Sequence, residues 1–333
     1  MRGRFVYISL LGIILCLHSH DCRSFSPDSV SNNCIYPVMF WNLENYFDPF
    51  DDSLTNDDEF TPWGDKHWTW RKFISKRNMI AKTIIAVKDL CGCYPVIAAF
   101  AECENKFVIS QMIYKTALSR LDYGIIHKDS PDIRGIDVAM IYRKEFFIPL
   151  NTETIRIDSL QRPTRDILKV TGIFKNCTKD TIDFYIVHLP SKLGDPRITN
   201  VLRERIIGVL VDDINVSQNK GRKVILTGDF NDEASSPAMK IIPDTLLENL
   251  AASESLKGLG TIKFNGKWEI IDQFLISPNM INITSEMEIL DFPFLLENDN
   301  KFLGKKPFRT YYGPRYNHGI SDHLPILIRI YCK

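Results

Sequence analysis

The chain has 333 residues, 44% of them hydrophobic, and 41 basic side chains set against 41 acidic ones. That is enough apolar material to bury one large core or two small ones. The even balance excludes a global basic field that would make duplex DNA an obligatory partner, and equally an acidic solvating tail. A nucleic-acid substrate would need a local basic patch.

In chain order, Arg2 and Arg4 precede an apolar run from Phe5 to Leu17, and the polar HSHDCRS follows. A charged start and an apolar run too short to span a membrane comfortably are the parts of a secretory signal. Residues 1–22 are therefore expected to be a signal peptide, and the protein to be secreted or periplasmic. No clean small-x-small pair marks a cleavage site. Cys16 after Ile-Ile-Leu is a loose lipobox cysteine, which keeps lipoprotein anchoring open. No later segment is apolar enough to span a membrane. If Cys16 and Cys22 leave with the signal, Cys34, Cys91, Cys93, Cys103, Cys177 and Cys332 remain of the eight cysteines. Six cysteines allow about 15 complete pairings, and the sequence does not choose among them. Cys91-Gly-Cys93 with Cys103 lacks the second C-x-x-C or histidine pair of a zinc site, so buried or bridged thiols are expected.

Residues 23–36, rich in Ser and Asn, read as a linker. Pro37–Leu43 reads as the first strand, running into Asn42-Leu43-Glu44-Asn45. Residues 48–70 are acidic and aromatic without a period, which predicts a surface loop packed by its tryptophans. Phe73, Ile74, Ile80, Ile84 and Ile85 recur at helical spacing between Trp70 and Leu90, and Gly92 and Pro95 stop that helix. Pro95–Ala101 is a buried strand ending at Glu102. A helix follows over Phe107–Leu121, then strands over Tyr123–His127 and Asp137–Arg143. Ile167–Phe174 and Thr181–Val187 pair as a hairpin running into His188-Leu189-Pro190-Ser191-Lys192. Helices are expected over Ile198–Val216 and Ala238–Leu250. Between them lies Lys223–Asp232, KVILTGDFND, an apolar β-branched run that breaks at Gly228 into Asp229, Phe230 and Asn231. Trp268–Ile276 reads as a strand carrying Asp272, and Ile326–Tyr331 closes the chain after Ser321-Asp322-His323. Short turns between neighbouring strands, without a strict strand–helix alternation, argue for mixed or antiparallel sheets covered by helices.

Several strands thus end in polar side chains: Asn42, Glu102, His188, Asp229, Asn231, Asp272 and Asp322-His323. Each alone has an ordinary structural reading. Asn42 and Asn231 are turn formers, Glu102 an acid starting a helix, and His188 a satisfied structural histidine. Asp272, in Ile-Ile-Asp-Gln-Phe-Leu-Ile, is harder to dismiss, because an acid in a buried strand must be paired or bound to metal.

Taken in order, N-L-E, E, H-x-P-S, G-D-F-N-D, I-D-x-x-x-x-S and S-D-H-x-P resemble the endonuclease/exonuclease/phosphatase superfamily. Its branches include deoxyribonuclease I, AP endonucleases, neutral sphingomyelinases and inositol polyphosphate 5-phosphatases. The resemblance covers residues 37 to 331, so residues 37–333 are expected to form one such domain. GDFND and SDHLP are its specific parts. RGIDVAMIYR and KWEIIDQFLIS have the flavour of its secreted bacterial members. The resemblance implies an α+β four-layer sandwich, two mixed β-sheets packed face to face with helices outside. It also implies roles. Glu102 would be the main Mg²⁺ ligand beside Asn42 and Asp322, with Mn²⁺ a substitute. Asp229 would orient or deprotonate the attacking water, and Asn231 and Arg165 would meet phosphate oxygens. His323 would bind a non-bridging oxygen or move a proton, and His188 would place a donor at the phosphate. Asp272 would fix His188 or His323, and Asp137 or Asp166 would partner His188. Histidine at 188, where AP endonucleases usually carry an asparagine motif, is more like the deoxyribonuclease, sphingomyelinase and 5-phosphatase branches. His318 stands where close relatives often have glycine and is expected at the surface.

In-line attack on a phosphoester gathers negative charge on the non-bridging and leaving oxygens, which a divalent ion, donor side chains and an arginine offset. The expected activity is therefore that of a monomeric, secreted, nonspecific endonuclease acting on DNA or RNA. The alternatives are a phosphatase or sphingomyelinase-like enzyme on a phospholipid or sugar phosphate, and an inactive secreted binding protein on the same scaffold.

Overall fold

The computed structural model describes residues 34–157, 164–177, 180–192, 195–253, 256 and 258–332. The expected signal peptide lies outside them, as do residues 23–33 of the expected linker. Strand β1 (Cys34–Tyr46) starts at Cys34 rather than Pro37. Helix α1 (Trp70–Cys91) ends where Gly92, at φ 71°, returns its N–H to the Lys88 carbonyl. Strand β2 (Ile97–Cys103) and helix α2 (Lys106–Tyr114) follow. The helix expected through Leu121 breaks after Tyr114, because Thr116 adopts an extended backbone and its hydroxyl caps a separate 3₁₀ turn, Ala117–Leu121. Next come β3 (Tyr123–His127), β4 (Asp137–Arg143), β5 (Phe147–Ile155), β6 (Ile167–Phe174) and β7 (Ile182–His188).

Helix α3 (Pro196–Asn219) leads into β8 (Lys223–Asp229). No helix forms over Ala238–Leu250. Pro243 pushes Ile242 out of the helical region (ψ 112°), leaving a 3₁₀ turn at Met239–Ile241 and then β9 (Glu248–Asn249). The single strand expected over Trp268–Ile276 is two. Strands β10 (Ile262–Phe264) and β11 (Lys267–Glu269) form a separate hairpin, and β12 (Asp272–Ile276) joins the main sheet. Asp272 therefore opens a strand instead of interrupting one. After β13 (Glu288–Ile289), the small hairpins β14 (Leu296–Asn298)/β15 (Lys305–Pro307) and β16 (Tyr311–Tyr312)/β17 (Arg315–Tyr316) precede β18 (Ile326–Cys332). No helix among the described residues is long and apolar enough to cross a membrane.

Two six-stranded sheets result, in the orders β13-β18-β1-β2-β4-β3 and β5-β6-β7-β8-β12-β9. Each is antiparallel except at one central pair, β1/β2 in the first and β7/β8 in the second. Phe40, Ala99 and Ile328 of one sheet meet Phe184, Ile225 and Phe274 of the other in a seam closed to solvent. Each such aromatic contributes roughly 1.5–3 kcal/mol by burial, so this seam fixes where the strand ends of one sheet lie against those of the other. Helices α1 and α2 cover the outer face of the first sheet, and α3 that of the second. The four-layer α+β sandwich is as expected, and strands buried on both faces explain the near-continuous apolar runs.

Cys177 and Cys332 are bridged across 155 residues, which ties the end of β18 to the turn after β6. Cys91, Cys93 and Cys103 remain thiols, with Cys103 buried, and do not gather as a zinc site. The 48–70 segment is the expected loop. Trp68 is buried and donates its indole N–H to the Phe47 carbonyl at 2.9 Å, whereas Trp63 projects into solvent.

Beneath that loop Glu104 is buried, accepting the Asp48 N–H. Burial raises its pKa from 4.5 to about 9, with Asp48, Asp57 and Asp52 adding to it. Folded Glu104 keeps its proton up to about 9, while the unfolded chain releases it near 4.5. Its contribution to stability is therefore full below the lower value and drains away as pH rises through the upper one. Glu104→Gln is expected to leave the melting temperature unchanged at pH 4 and to raise stability at pH 8 by about 1–3 kcal/mol. Thermal melts at the two pH values check this, and destabilisation at pH 8 would contradict it.

Candidate active site

The parallel pairs β1/β2 and β7/β8 end at the edge of the sandwich where the antiparallel neighbours β12 and β18 begin. Residues at the ends of the first four and at the starts of the last two therefore share one rim. His188 and Asp229 are register partners across β7/β8, and Asp272 is the partner of Asp229 across β8/β12. Gly228 makes this possible, since a Cβ there would lie 2.1 Å from the Val187 carbonyl oxygen. In the other sheet the β2/β4 register shifts between Ala101 and Cys103, and Glu102 occupies the bulge at φ 59°. A bulge in the left-handed region re-aims one side chain, at some backbone cost, and here that side chain is the glutamate.

Asp229 Oδ2 is the centre. Asn42 Nδ2 donates to it at 2.9 Å, His188 Nε2 lies at 3.6 Å and His323 Nε2 at 3.9 Å. Glu102 Oε1 stands 3.7 Å from His188 Nε2 and 3.4 Å from Asn42 Nδ2, while Oε2 accepts the Asn45 N–H at 2.8 Å. His323 Nδ1 meets Asp272 Oδ2 at 2.7 Å, and its Nε2 lies 4.0 Å from Asp322 Oδ1. The two imidazoles thus converge on one carboxylate oxygen, with Glu102 on one side and Asp322 on the other.

The two histidines sit in opposite electrostatic surroundings. Burial, reinforced by the charges of Arg165, Arg134 and His323, holds His188 well below its ordinary pKa, so its ring is neutral. The acids facing Nε2 favour the tautomer with its proton there. Burial also works against a charge on His323, but Asp272 and Asp229 outweigh it and hold the imidazolium well above its ordinary value. Asp229 is pushed up to about 7, first by burial and further by Asp272, against the lowering pull of His323. One neutral and one protonated imidazole around a basic carboxylate is an arrangement suited to moving a proton while holding an anion.

Among Asp272's expected partners the structure picks His323. Asp137 does not partner His188. It lies 3.1 Å from Nε2 of His127 and accepts the Ser130 N–H. Asp166 faces Arg156 at 3.8 Å, and His188 Nδ1 has no hydrogen-bond partner among the described residues. Arg165 donates to the carbonyls of His188 (3.2 Å) and Leu189 (3.0 Å) and to Asp132 Oδ2 (2.9 Å), and so holds the turn that carries His188. Asn231 spends one amide proton on the Leu189 carbonyl at 2.9 Å. Asn42 turns its amide nitrogen to the acids while its oxygen accepts the Glu44 N–H at 2.9 Å. It therefore sets Glu102 and Asp229 side by side. His318 is exposed against Tyr316, as expected.

The Arg165 geometry has a measurable consequence. Arg165→Ala leaves buried Asp132 with only the more distant Arg134, at 3.8 Å, as a cationic partner and is expected to cost up to about 3–5 kcal/mol of stability. Arg165→Lys should recover little of it, because one ammonium cannot reach three oxygens in a plane. Urea unfolding of both variants checks this, and a fully stable lysine variant would contradict it.

The residues fit a hard divalent cation. Glu102 Oε1 and Asp322 Oδ1 are carboxylate oxygens at the partly open side of the site. No lysine or arginine among the described residues forms an ion pair with Glu102, and Asp322 pairs through its other oxygen with Arg309 at 3.0 Å. Asp229, Asp272 and His323 also bring donor atoms together, but the short His323–Asp272 contact is a charge-assisted hydrogen bond whose proton fills that space. In a further group, Asp129 and Asp137 face opposite ring nitrogens of His127, at 3.7 and 3.1 Å.

Sequence reading missed four supports. Ser321 Oγ donates to the Asn42 carbonyl at 2.7 Å and accepts the His323 N–H at 3.0 Å, stitching the S-D-H turn to β1. Buried Glu44 accepts from Arg309 and the Thr310 N–H, and burial, with Asp322 adding, raises it to about 7. Buried Lys76 donates to the Glu44 carbonyl and to Thr310 Oγ1. Glu44 stood in the quoted N-L-E but received no role, while Arg309 and Lys76 lie in stretches with no local signal.

The fold and sequence have known counterparts. No curated protein matches the sequence. An endonuclease/exonuclease/phosphatase family protein from Bacteroides thetaiotaomicron superposes with a TM-score of 0.60 at 16% identity, over 90% of this chain and 99% of that one. A mannosyl-6-phosphatase from the same organism gives 0.57 at 17%, covering 88% and 98%. The human Nocturnin catalytic domain gives 0.54 at 17%, covering 90% and 98%. At such identities the likeness is one of fold. Residues 37–332, which hold every strand-end acid and both imidazoles described above, match the Endonuclease/Exonuclease/phosphatase family, and the chain belongs to it.

Proposed function

We propose that the chain is a divalent-metal-dependent phosphodiester hydrolase, and specifically a secreted endonuclease that cuts DNA or RNA without sequence preference. The observation that carries the reading is the convergence of His188, His323 and Asn42 on Asp229 Oδ2, with Asp272 locking His323. A hard divalent cation, Mg²⁺ or Mn²⁺, held by Glu102 and Asp322, would offset the charge gathering on the phosphoryl oxygens. Asp229 orients a water and accepts its proton as the water oxygen bonds to phosphorus and the opposite ester bond breaks, the leaving oxygen taking up a proton from solvent. His323, charged at neutral pH, donates from Nε2 to a non-bridging oxygen, while its Nδ1–H stays hydrogen-bonded to the Asp272 carboxylate. His188 offers its Nε2 proton to the phosphate from the other side, and Asn231 its second amide proton. The leading segment with signal character and the Cys177–Cys332 bridge support action outside the cytoplasm.

The test is release of acid-soluble nucleotides from plasmid and single-stranded DNA with Mg²⁺, beside a chelator control and an Asp229→Ala protein. Chelator-sensitive cleavage by the wild type that the variant lacks is expected. No such cleavage would remove the nuclease reading. A second reading has its own observation: exposed Asp51, Asp52, Asp58, Glu59 and Asp65 crowd the 48–70 loop, and would repel a long polyanion. A short phosphate ester, such as a sugar phosphate or phospholipid headgroup, escapes that repulsion. Inorganic phosphate or phosphocholine release from a substrate panel separates the two.

A further inference from the structure

Asp322 has a second neighbourhood. A cleft of about 160 Å³ opens between the β10–β11 turn, the β14–β15 turn and the segment after β15, and Asp322 is part of its lining. The β14–β15 turn brings Lys301 and Phe302, β15 brings Lys306, and the segment after it brings Arg309 and Tyr312. The β10–β11 turn forms the opposite wall, where a Cβ on Gly266 would lie 2.8 Å from the Phe302 ring. The lining carries four basic residues, Lys263, Lys301, Lys306 and Arg309, against Asp299 and Asp322. Asp299 is spent on Lys263, at 2.9 Å, in a buried pair. Lys301 lies over the Phe302 ring and Lys306 over Tyr312, with only a distant carboxylate, Glu297 at 3.9 Å, near Lys306. A chain with no net charge has concentrated cations and aromatic faces at one place, and that place adjoins the site.

We propose that this cleft is a subsite for a second phosphate group of the substrate, one unit removed from the phosphate that reacts at Asp229. Lys301 and Lys306 meet its oxygens, Arg309 marks the boundary with the reacting phosphate, and Phe302 and Tyr312 give a flat face to what joins the two groups. This rests on the phosphoester reading and deepens it. The acidic 48–70 loop discourages a featureless polyanion track, while this cleft rewards a substrate with two phosphates at a set spacing. Either a nucleotide strand or a sugar bisphosphate meets the requirement.

The experiment compares the wild type with Lys301→Ala/Lys306→Ala, which removes one exposed turn lysine and one partly exposed lysine of β15, both outside the reacting centre. Hydrolysis of bis(p-nitrophenyl) phosphate with Mg²⁺, which has no second phosphate, reports the reaction itself. It should be equal in the two proteins. The dinucleotides pTpT and TpT then differ only in a terminal phosphate. Wild type is expected to favour pTpT by roughly three- to tenfold in KM, the reach of two solvent-accessible lysine–phosphate pairs, and the variant to treat them alike. Calorimetric binding of thymidine 3′,5′-bisphosphate against thymidine 5′-monophosphate, and of fructose 1,6-bisphosphate against fructose 6-phosphate, reads the subsite without turnover. Either pair showing a preference that the variant loses supports the subsite and identifies its source. Equal binding within both pairs, or a preference the variant retains, overturns it. Loss of bis(p-nitrophenyl) phosphate hydrolysis in the wild type would instead count against the phosphoester reading, with the binding data still deciding the subsite.

Discussion

Asp229→Asn is expected to lower kcat on a phosphodiester by about two to four orders of magnitude while KM changes little. Three polar groups face Asp229 Oδ2, and the ring of His323 is held charged partly by this acid. Asparagine keeps the shape and can still accept the Asn231 N–H that Oδ1 now takes at 2.8 Å. It cannot accept the proton of an attacking water, and its amide nitrogen would face the Asn42 amide, a donor meeting a donor. The turnover loss should therefore come with a modest fall in melting temperature, not with unfolding. His323 keeps Asp272 and stays charged, so binding of the anionic substrate persists. Steady-state kinetics with a thermal melt of the same preparation check this. Turnover within a few-fold of wild type would show that another group handles the water.

Glu102→Gln should fail differently. The bulge and the φ of 59° place this side chain, and glutamine can still accept the Asn45 N–H. What it loses is the negative charge offered by Oε1, an oxygen shared only with the weak Asn42 contact and the neutral ring of His188. The Mg²⁺ concentration giving half-maximal rate is expected to rise about a hundredfold or more, with part of the rate recovered at saturating metal. Asp229→Asn should show no such recovery. A metal titration of rate for both proteins separates the roles, and an unchanged Mg²⁺ requirement in Glu102→Gln would contradict the assignment of Glu102.

The rim of the sandwich was legible because strand ends carry short-range signals. The apolar run before Asp229, the Gly228 that lets β8 lie against β7, and the S-D-H turn before β18 are local, and the structure brings them together. Boundaries failed where one residue overrode a pattern. Pro243 stopped a helix whose apolar spacing was sound, and Thr116 split another by capping its own turn. Strand β5 escaped notice because it is an exposed edge strand, polar on one face and carrying Pro149. The roles of Asn42 and Arg165 could not be read in one dimension. Whether an amide turns its oxygen or its nitrogen to a site, or an arginine its fork to substrate or to a carbonyl, depends on partners such as the Glu44 N–H and Leu189 that sequence does not place. The same holds for Arg309, which reaches Glu44 from 265 positions away.

The account turns on one hard cation sitting between Glu102 and Asp322, beside Asp229 and the two imidazoles. A crystal soaked in Mn²⁺ and recorded at the manganese edge tests this most directly. The predicted result is one strong anomalous peak bonded to the Glu102 and Asp322 carboxylates, absent from Glu102→Gln crystals. A peak confined to His127, Asp129 and Asp137, or no peak from protein that still hydrolyses phosphodiesters, would contradict it.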